Sequence, residues 1–318
     1  MLSVTELPPA KVYDIEVEDT HSFYANGMLV HNCHTAASDA RAEDINKFTK
    51  ALRWGVSATP TGRFDGKDLC TEGLLGPIVS TTTYQEAVAV GALVPIKVYW
   101  VKCPEPTMGM EKYLKYSQRD SRYRHGVYRN EGRNRIIADI LKNTEDKHQS
   151  LVIMQYLDQM NRIAALTNER VHMVHAETDQ KKIDGAGMKF LKAIKTAERK
   201  TIYGQMEREE IHQILSTYVY KQGVNFPNLE VVIVAGGGGS DIVAKQIPGR
   251  ESRKTADKEV SYLVDFWHPW DTERRNERMG AGPIHSDDRA REKAYKHLGF
   301  DMIWIDDYRS LPFVNKET

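Results

Sequence analysis

Between residues 136 and 270 the apolar positions alternate between two textures. Ile136, Ile137, Ile140 and Leu141 recur at the spacing of one helical face, whereas Leu151-Val152-Ile153-Met154 is the short unbroken run of a strand covered on both sides. Leu157, Met160 and Leu166 return to helical spacing, and Val171 to Val174 is again a run. Three more runs, Ile211 to Ser216, Leu229 to Ala235 and Val260 to Phe266, are separated by helical segments. Strands alternating with helices predict right-handed crossovers and a doubly wound parallel sheet. The tail adds a helix through Arg289 to Leu298 and a short strand at Met302 to Ile305.

Upstream the pattern differs. Val12-Tyr13-Asp14-Ile15-Glu16-Val17 alternates apolar with polar, and Asn26-Gly27 is a tight-turn signal before Met28-Leu29-Val30. Two or three strands in such a short stretch leave open edges and little core, so residues 1–32 are expected to need a partner. From Cys33 the texture becomes α/β: a helix bearing Ile45, Phe48 and Leu52, a strand at Arg53 to Ser57, and another at Val94 to Val101. Residues 104–135 are polar and rich in Arg and Tyr, as a linker or a surface helix would be. The predicted segments are therefore 1–32, 33–103, 104–135, 136–270 and an extension, 271–318.

Composition narrows the function classes. Lys+Arg and Asp+Glu are both 44, so any nucleic-acid contact must come from local arrangement rather than from a global positive field. Cys33, Cys70 and Cys103 are odd in number and lack C-x-x-C spacing, which argues against a disulfide framework and a zinc site. No apolar run approaches the ~20 residues of a membrane span, and no basic-then-apolar leader is present. A soluble protein of a reducing cytoplasm, without a resident metal, is expected.

Candidate chemistry gathers first at Val30-His31-Asn32-Cys33. An Asn amide can attack its own backbone carbonyl, forming a succinimide and cutting the next peptide bond. Asn32 is placed to release Cys33, with His31 and His21 supplying proton transfer of the kind worth ~10²–10⁴-fold, and the Cys33 thiolate able to accept an acyl group. The stretch Val12 to Val17, then His21-Ser22-Phe23, then Asn26 to Cys33, resembles the C-terminal end of an intein of the Hint family. The resemblance implies that Asp19 stands near a carboxylate that helps control Cys33. An intein also needs a nucleophile at its own first residue and a Thr-x-x-His-type block, which would have to come from a second polypeptide, as in a split intein.

From Cys33 onward a second resemblance takes over. Cys33-His34-Thr35-Ala36-Ala37-Ser38-Asp39 is similar to the stretch directly after Asp-Glu in the D-E-C-H box of superfamily-2 helicases, which holds Mg2+ and orients the attacking water. Ser57-Ala58-Thr59 looks like their S-A-T motif, coupling nucleotide and nucleic-acid sites. Gln222-Gly223-Val224-Asn225-Phe226-Pro227 resembles G-x-D-x-P, with Asn225 replacing the usual Asp and Gly223 in register. Gln246-Ile247-Pro248-Gly249-Arg250-Glu251-Ser252-Arg253 is a full Q-x-x-G-R-x-x-R. The resemblance implies that Gln246 and Gly249 border ATP while Arg250 and Arg253 act as arginine fingers, worth ~10³–10⁵ in rate.

Gly236 to Gly239 lacks the Lys and Ser/Thr of a phosphate loop, so a flexible strand-to-helix loop is the better reading. The phosphate cradle for ATP, and most of the Mg2+ site, would lie on the partner chain. A weaker patch, Arg119, Arg122, Arg124, Arg129, Arg133 and Arg135 interleaved with Tyr116, Tyr123 and Tyr128, suits either a DNA backbone with base stacking or a solvated helix. Trp267, His268 and Trp270, at a strand end, suit core packing or domain docking.

The expected architecture is thus a RecA-like doubly wound parallel-sheet domain, a partial RecA-like domain, and a short β intein fragment. The expected function is the C-terminal portion of a phage-type ATP-dependent DNA helicase or translocase, joined by trans-splicing at Asn32/Cys33 to an N-terminal intein-helicase fragment. The alternative is a non-catalytic nucleic-acid-binding helicase relic whose intein end is inactive or only cleaves.

Overall fold

The computed structural model describes residues 22–25, 28–32, 39–47, 53–56, 66–144, 148–167, 171–217, 226, 228–238, 258–275 and 278–315. The chain divides into two compact units, Met1–Thr81 and Thr82–Thr318.

In the first unit, β1 (Ser22–Ala25) and β2 (Met28–Asn32) form the antiparallel hairpin that Asn26-Gly27 predicts, with Phe23 opposite Val30. After α1 (Asp39–Asn46), β3 (Arg53–Val56) lies parallel to β2, placing His31 opposite Gly55 and Asn32 opposite Val56. α2 (Asp68–Leu75) comes next. The buried apolar cluster among the described residues is small: Ile45 and Leu74, with Ala42 and Leu75 against them. Leu69, Ile78 and Val79 are exposed.

The second unit is built on seven strands: β4 (Ile96–Lys102), β5 (Gln149–Met154), β6 (Val171–Val174), β7 (Gln213–Thr217), β8 (Leu229–Val234), β9 (Ser261–Trp267) and, past the small hairpin of β10 (Thr272–Arg275) and β11 (Arg278–Ala281), β12 (Asp301–Ile305). Their order across the sheet is β12-β4-β9-β8-β5-β7-β6, and every pairing is parallel. The chain begins this unit with α3 (Tyr84–Ala89), whose Thr83 and Glu86 form a reciprocal capping box.

Between β4 and β5 come α4 (Met110–Tyr113), α5 (Arg119–Tyr123), a π-helical turn at Arg124–Tyr128, and α6 (Glu131–Asn143). α7 (Leu157–Ala164), α8 (Gln180–Gly185), α9 (Thr196–Glu207) and α10 (Pro283–Leu298) complete the unit.

The unbroken apolar runs resolve into period-two faces. Val98, Trp100, Leu151, Ile153, Val232 and Leu263 point to one side, where Met206 of α9 and Tyr295 of α10 cover them. Val101, Val152, Met154, Ile233 and Val264 point to the other, against Ile137, Ile140 and Leu141 of α6 and Met160 and Ile163 of α7. This two-sided covering is the reason the strands lack alternation in sequence.

Three predicted boundaries are corrected. The strand around 94–101, placed in the 33–103 segment, pairs with β9 and β12 and so belongs to the second unit. An apolar run announces a buried strand but not its neighbour, and parallel neighbours need not be consecutive. Residues 104–135 are no linker, because Tyr113, Tyr123, Val127 and Arg133 are buried. Nor is 271–318 an appendage: it supplies an edge strand and a covering helix.

A buried ionic cluster fixes α10 to the sheet. Arg291 donates to both Asp265 oxygens (2.8 and 2.9 Å) and to Asp288 (3.0 Å), and also to the Gly238 carbonyl. Asp288 further accepts from the His268 backbone N–H (2.8 Å) and ring Nδ1 (3.0 Å). Burial opposes a charge on His268, but the Cys103 sulfur and the Asp288 carboxylate overcome it and push the imidazole up to about 9. Burial likewise raises Asp288, and His268 and Arg291 more than offset this, holding the carboxyl below its usual range. At neutral pH the Asp288 carboxylate thus faces two cations, His268 and Arg291.

Arg133 is a second buried guanidinium. It donates to the Ala235 and Val234 carbonyls (2.8 and 3.3 Å) and lies 4.2 Å from the centroid of Phe266, and burial pulls its pKa down.

Arg291→Met strands two buried carboxylates and is expected to destabilise the second unit by about 3–5 kcal/mol, the typical cost of breaking a buried pair from one side. Arg309→Ala, at an exposed pair with Asp307, is expected to change stability by less than about 1 kcal/mol. Urea titrations that ranked the two variants equal would contradict this assignment.

The same cluster sets a pH dependence. His268 is raised from its unfolded value of about 6.5, so its contribution is complete below about pH 6.5 and disappears as pH climbs through about 9. Asp288 acts in the opposite sense, with a contribution present above about pH 4 and lost on acidification. The urea midpoint should therefore fall between about pH 6.5 and 9, and His268→Gln should flatten that slope; equal slopes in the two proteins would refute the role given to His268.

Candidate functional site

The sheet order creates one topological switch. From β5 the chain moves outward to β6, and from β8 it moves the other way to β9, yet β5 and β8 are neighbours. In open parallel sheets ligands bind in the crevice beyond the carboxyl ends of two such strands. Here a cavity of about 480 Å³ occupies that place, lined by Gln155 and Tyr156 just after β5, Asp158 at the start of α7, and Gly238 beyond β8. Its remaining wall is Arg119, Asp120, Tyr123, Arg124, Tyr128 and Arg129, from α5 and the π turn.

Asp271 positions that wall. This carboxylate, fully buried, accepts from Tyr113 Oη (2.6 Å), Arg122 Nη1 (2.8 Å) and the backbone N–H groups of Ile284 and His285 at the start of α10 (2.7 and 3.1 Å). It caps α10 while gripping the segment before the π turn, a favourable use of an anion at a helix N-terminus. A Cβ on Gly282 would come within 2.5 Å of this carboxylate, so only glycine fits there. Asp287 holds the next turn by accepting from Arg119 and Tyr123. Tyr113 and Tyr123 are both pushed above the usual tyrosine range, by burial first and then by these carboxylates, and remain protonated donors.

The rim is aromatic and cationic. Tyr128 and Tyr156 have ring centroids 4.3 Å apart at a 54° tilt, Tyr123 sits 5.9 Å behind Tyr128, and Tyr128 Oη donates to Gln155 (3.4 Å). Arg129 pairs with Asp158 at 2.9 Å, whereas Arg124 is exposed and, among the described residues, has no ion pair. Burial, followed by Arg129 and Arg124, lowers the pKa of nearby His125. Gly237 and Gly238 take left-handed backbone (φ 65° and 96°), as the strand-to-loop reading of the glycine run requires.

Of the sequence-predicted site residues, His31 and Asn32 lie in β2. His21, Cys33, His34, Ser57, Ala58, Thr59, Gly223, Asn225, Gln246, Gly249, Arg250 and Arg253 lie outside the described residues. Arg124 and Arg129 meet at the crevice. Arg122, placed with them as a nucleic-acid contact, is instead 4% exposed and occupied by Asp271, the Tyr116 carbonyl and the Thr272 carbonyl, which leaves it no face for a phosphate. Arg133, from the same patch, is likewise internal.

Sequence reasoning missed Gln155, Tyr156 and Gly238. The signal was available for the first two, because residues directly following a buried parallel strand sit at its carboxyl end. Among the described residues no group of three or more His, Cys, Asp or Glu could hold a metal ion, and no helix is long and apolar enough to cross a membrane.

Comparison with known proteins agrees with this geometry. Residues 132–255 match the helicase conserved C-terminal domain. The chain is similar to "Putative helicase 22" of Sulfolobus islandicus filamentous virus, with 27% identity over 255 residues, covering 76% of this chain and 42% of that protein. The chain thus spans less than half the length of this viral relative. Among solved structures it resembles S. cerevisiae Dbp5 bound to RNA and ADP BeF3 (TM-score 0.52, 11% identity, 88% of this chain and 59% of that one). It also resembles the ATP-dependent Type ISP restriction-modification enzyme LlaBIII bound to DNA (TM-score 0.52, 12% identity, 89% and 22%). At such identities the structural likeness is one of fold. The second unit therefore carries a RecA-like parallel sheet, and residues 132–255 of the chain match the helicase conserved C-terminal domain.

Proposed function

We propose that this chain is the C-terminal portion of an ATP-dependent DNA helicase or translocase, completed by protein trans-splicing at Asn32/Cys33 with a separately encoded N-terminal half. The observation that carries the helicase part is the matched C-terminal domain on a complete seven-stranded sheet, with an aromatic and arginine-lined crevice at its switch point. The chain has no G-x-x-x-x-G-K-[ST] loop, so the joined enzyme takes its phosphate cradle and most of its Mg2+ ligands from the other half. ATP then lies between the two RecA-like domains, with Arg250 and Arg253 as arginine fingers, Gln246, Gly249, Gly223 and Asn225 around the nucleotide, and Ser57 to Thr59 coupling it to DNA.

Two features favour splicing at residue 32. The intein-like pattern and the helicase-like pattern meet at that one peptide bond. In addition, β2 ends at Asn32 while running parallel to β3. A partner strand ending in Asp-Glu and joined to Cys33 would enter at the same place beside β3 once residues 1–32 are excised. The exposed Leu69, Ile78 and Val79 and the small core of the first unit suit a surface that the other half covers.

Mixing the chain with an N-terminal fragment that ends in an intein N-terminal block should yield, by intact mass, a ligated product in which Cys33 follows the partner's Glu. Asn32→Ala should abolish release of residues 1–32. Products unchanged by Asn32→Ala would eliminate the splicing reading and leave the helicase reading in place. In the joined enzyme, Arg253→Ala should lower ATP turnover by roughly 10³-fold or more while nucleic-acid affinity is retained; turnover within about tenfold of the parent would remove the arginine-finger role.

A further inference from the structure

We propose that the switch-point crevice holds a single unstacked nucleobase on a tyrosine shelf, so that the second unit selects single-stranded nucleic acid by its bases and not chiefly by its phosphates. This rests on the nucleic-acid reading above and specifies what that site takes.

The shelf is Tyr156, 44% exposed and backed by Tyr128 at 4.3 Å, which is in turn backed by Tyr123 at 5.9 Å. Rings braced by other rings lose little rotamer freedom when a ligand stacks on them. A cavity of about 480 Å³ adjoins them, within the ~300–1,000 Å³ typical of small-molecule sites.

Among the described lining residues, phosphate-directed charge is sparse. Arg119 is held by Asp287 and Arg129 by Asp158, which leaves Arg124 as the lining arginine without an ion pair among the described residues. Asp120 and Asp158 line the same cavity, and the whole chain has equal numbers of acidic and basic residues. A backbone-tracking groove needs the opposite balance. Stacking is left as the main attraction, worth ~1–3 kcal/mol per base and indifferent to base identity, with Arg124 available for one adjacent phosphate.

A duplex cannot offer a base face without first unstacking, so the geometry selects single strands. The shelf itself, Tyr156, lies within the matched 132–255 domain, whereas the tyrosine and arginine wall at 119–129 that braces it lies outside that match.

The test uses the full chain and fluorescence anisotropy with four probes: a single-stranded oligodeoxynucleotide, its ribo counterpart, the same strand with consecutive abasic sites, and the corresponding duplex. The base-bearing single strands, deoxy and ribo, should bind about tenfold or more tighter than the abasic strand or the duplex. The slope of log K against log salt should stay at about −0.7, the value for one neutralised phosphate on a single strand. Tyr156→Leu should weaken base-bearing strands about tenfold and leave the abasic strand unchanged, whereas Arg124→Gln should weaken all single strands alike.

Thermal melts matching the parent exclude misfolding, and Arg309→Ala, at an exposed ion pair outside the crevice lining, should bind all four probes as the parent does. Equal affinity for abasic and base-bearing strands, or a Tyr156→Leu loss shared by both, overturns the shelf while leaving nucleic acid in the crevice. Binding of none of the four probes overturns the placement of nucleic acid there altogether, and the ATP-turnover assay of the joined enzyme then judges the helicase reading on its own.

Discussion

A guanidinium group carried into a protein interior must find acceptors for its N–H groups there, and Arg291 finds two carboxylates. Asp265 comes from the sheet and Asp288 from one turn earlier on the same helix as Arg291. The arrangement is self-consistent only when α10 lies against β9 at one height and one rotation, because a shift of either element leaves several charges desolvated and unmatched. His268 completes the balance from the end of β9. The same arginine reaches the Gly238 carbonyl at the lip of the crevice. The ionic cluster therefore registers a helix against the sheet and at the same time sets where the loop beyond β8 begins.

How much of this could be read in the sequence depends on whether the signal is local. The runs at Leu151, Val171, Leu229 and Val260 announce strands because burial on both faces erases alternation, and the described strands β5, β6, β8 and β9 overlap them. Neighbour relations are not local. Nothing within Ile96 to Lys102 says that it will lie between Ser261–Trp267 and Asp301–Ile305, so a domain boundary drawn near residue 103 falls in the wrong place.

The arginine-tyrosine stretch shows the same limit at the level of single side chains. Arg122, Arg124, Arg129 and Arg133 are indistinguishable in composition, yet two are buried and two face the crevice. Distant partners separate them: Asp271 for Arg122, and the Val234 and Ala235 carbonyls for Arg133. Arg124 and Arg129 line the crevice, whereas Arg122, expected beside them as a nucleic-acid contact, is buried.

Asp271 joins the Tyr113–Arg122 region to the first turn of α10 through contacts spanning roughly half the chain in sequence. During synthesis the early segment leaves the ribosome long before its anchor does. Its polar side chains lack Asp271 and Asp287 as partners until those residues emerge, so the crevice wall sets only after them. A product cut short after β9 would keep most of its central strands but lack the helix that orders this wall, and would present the Met and Tyr side chains meant for Ile284 and Trp270 to chaperones or proteases instead.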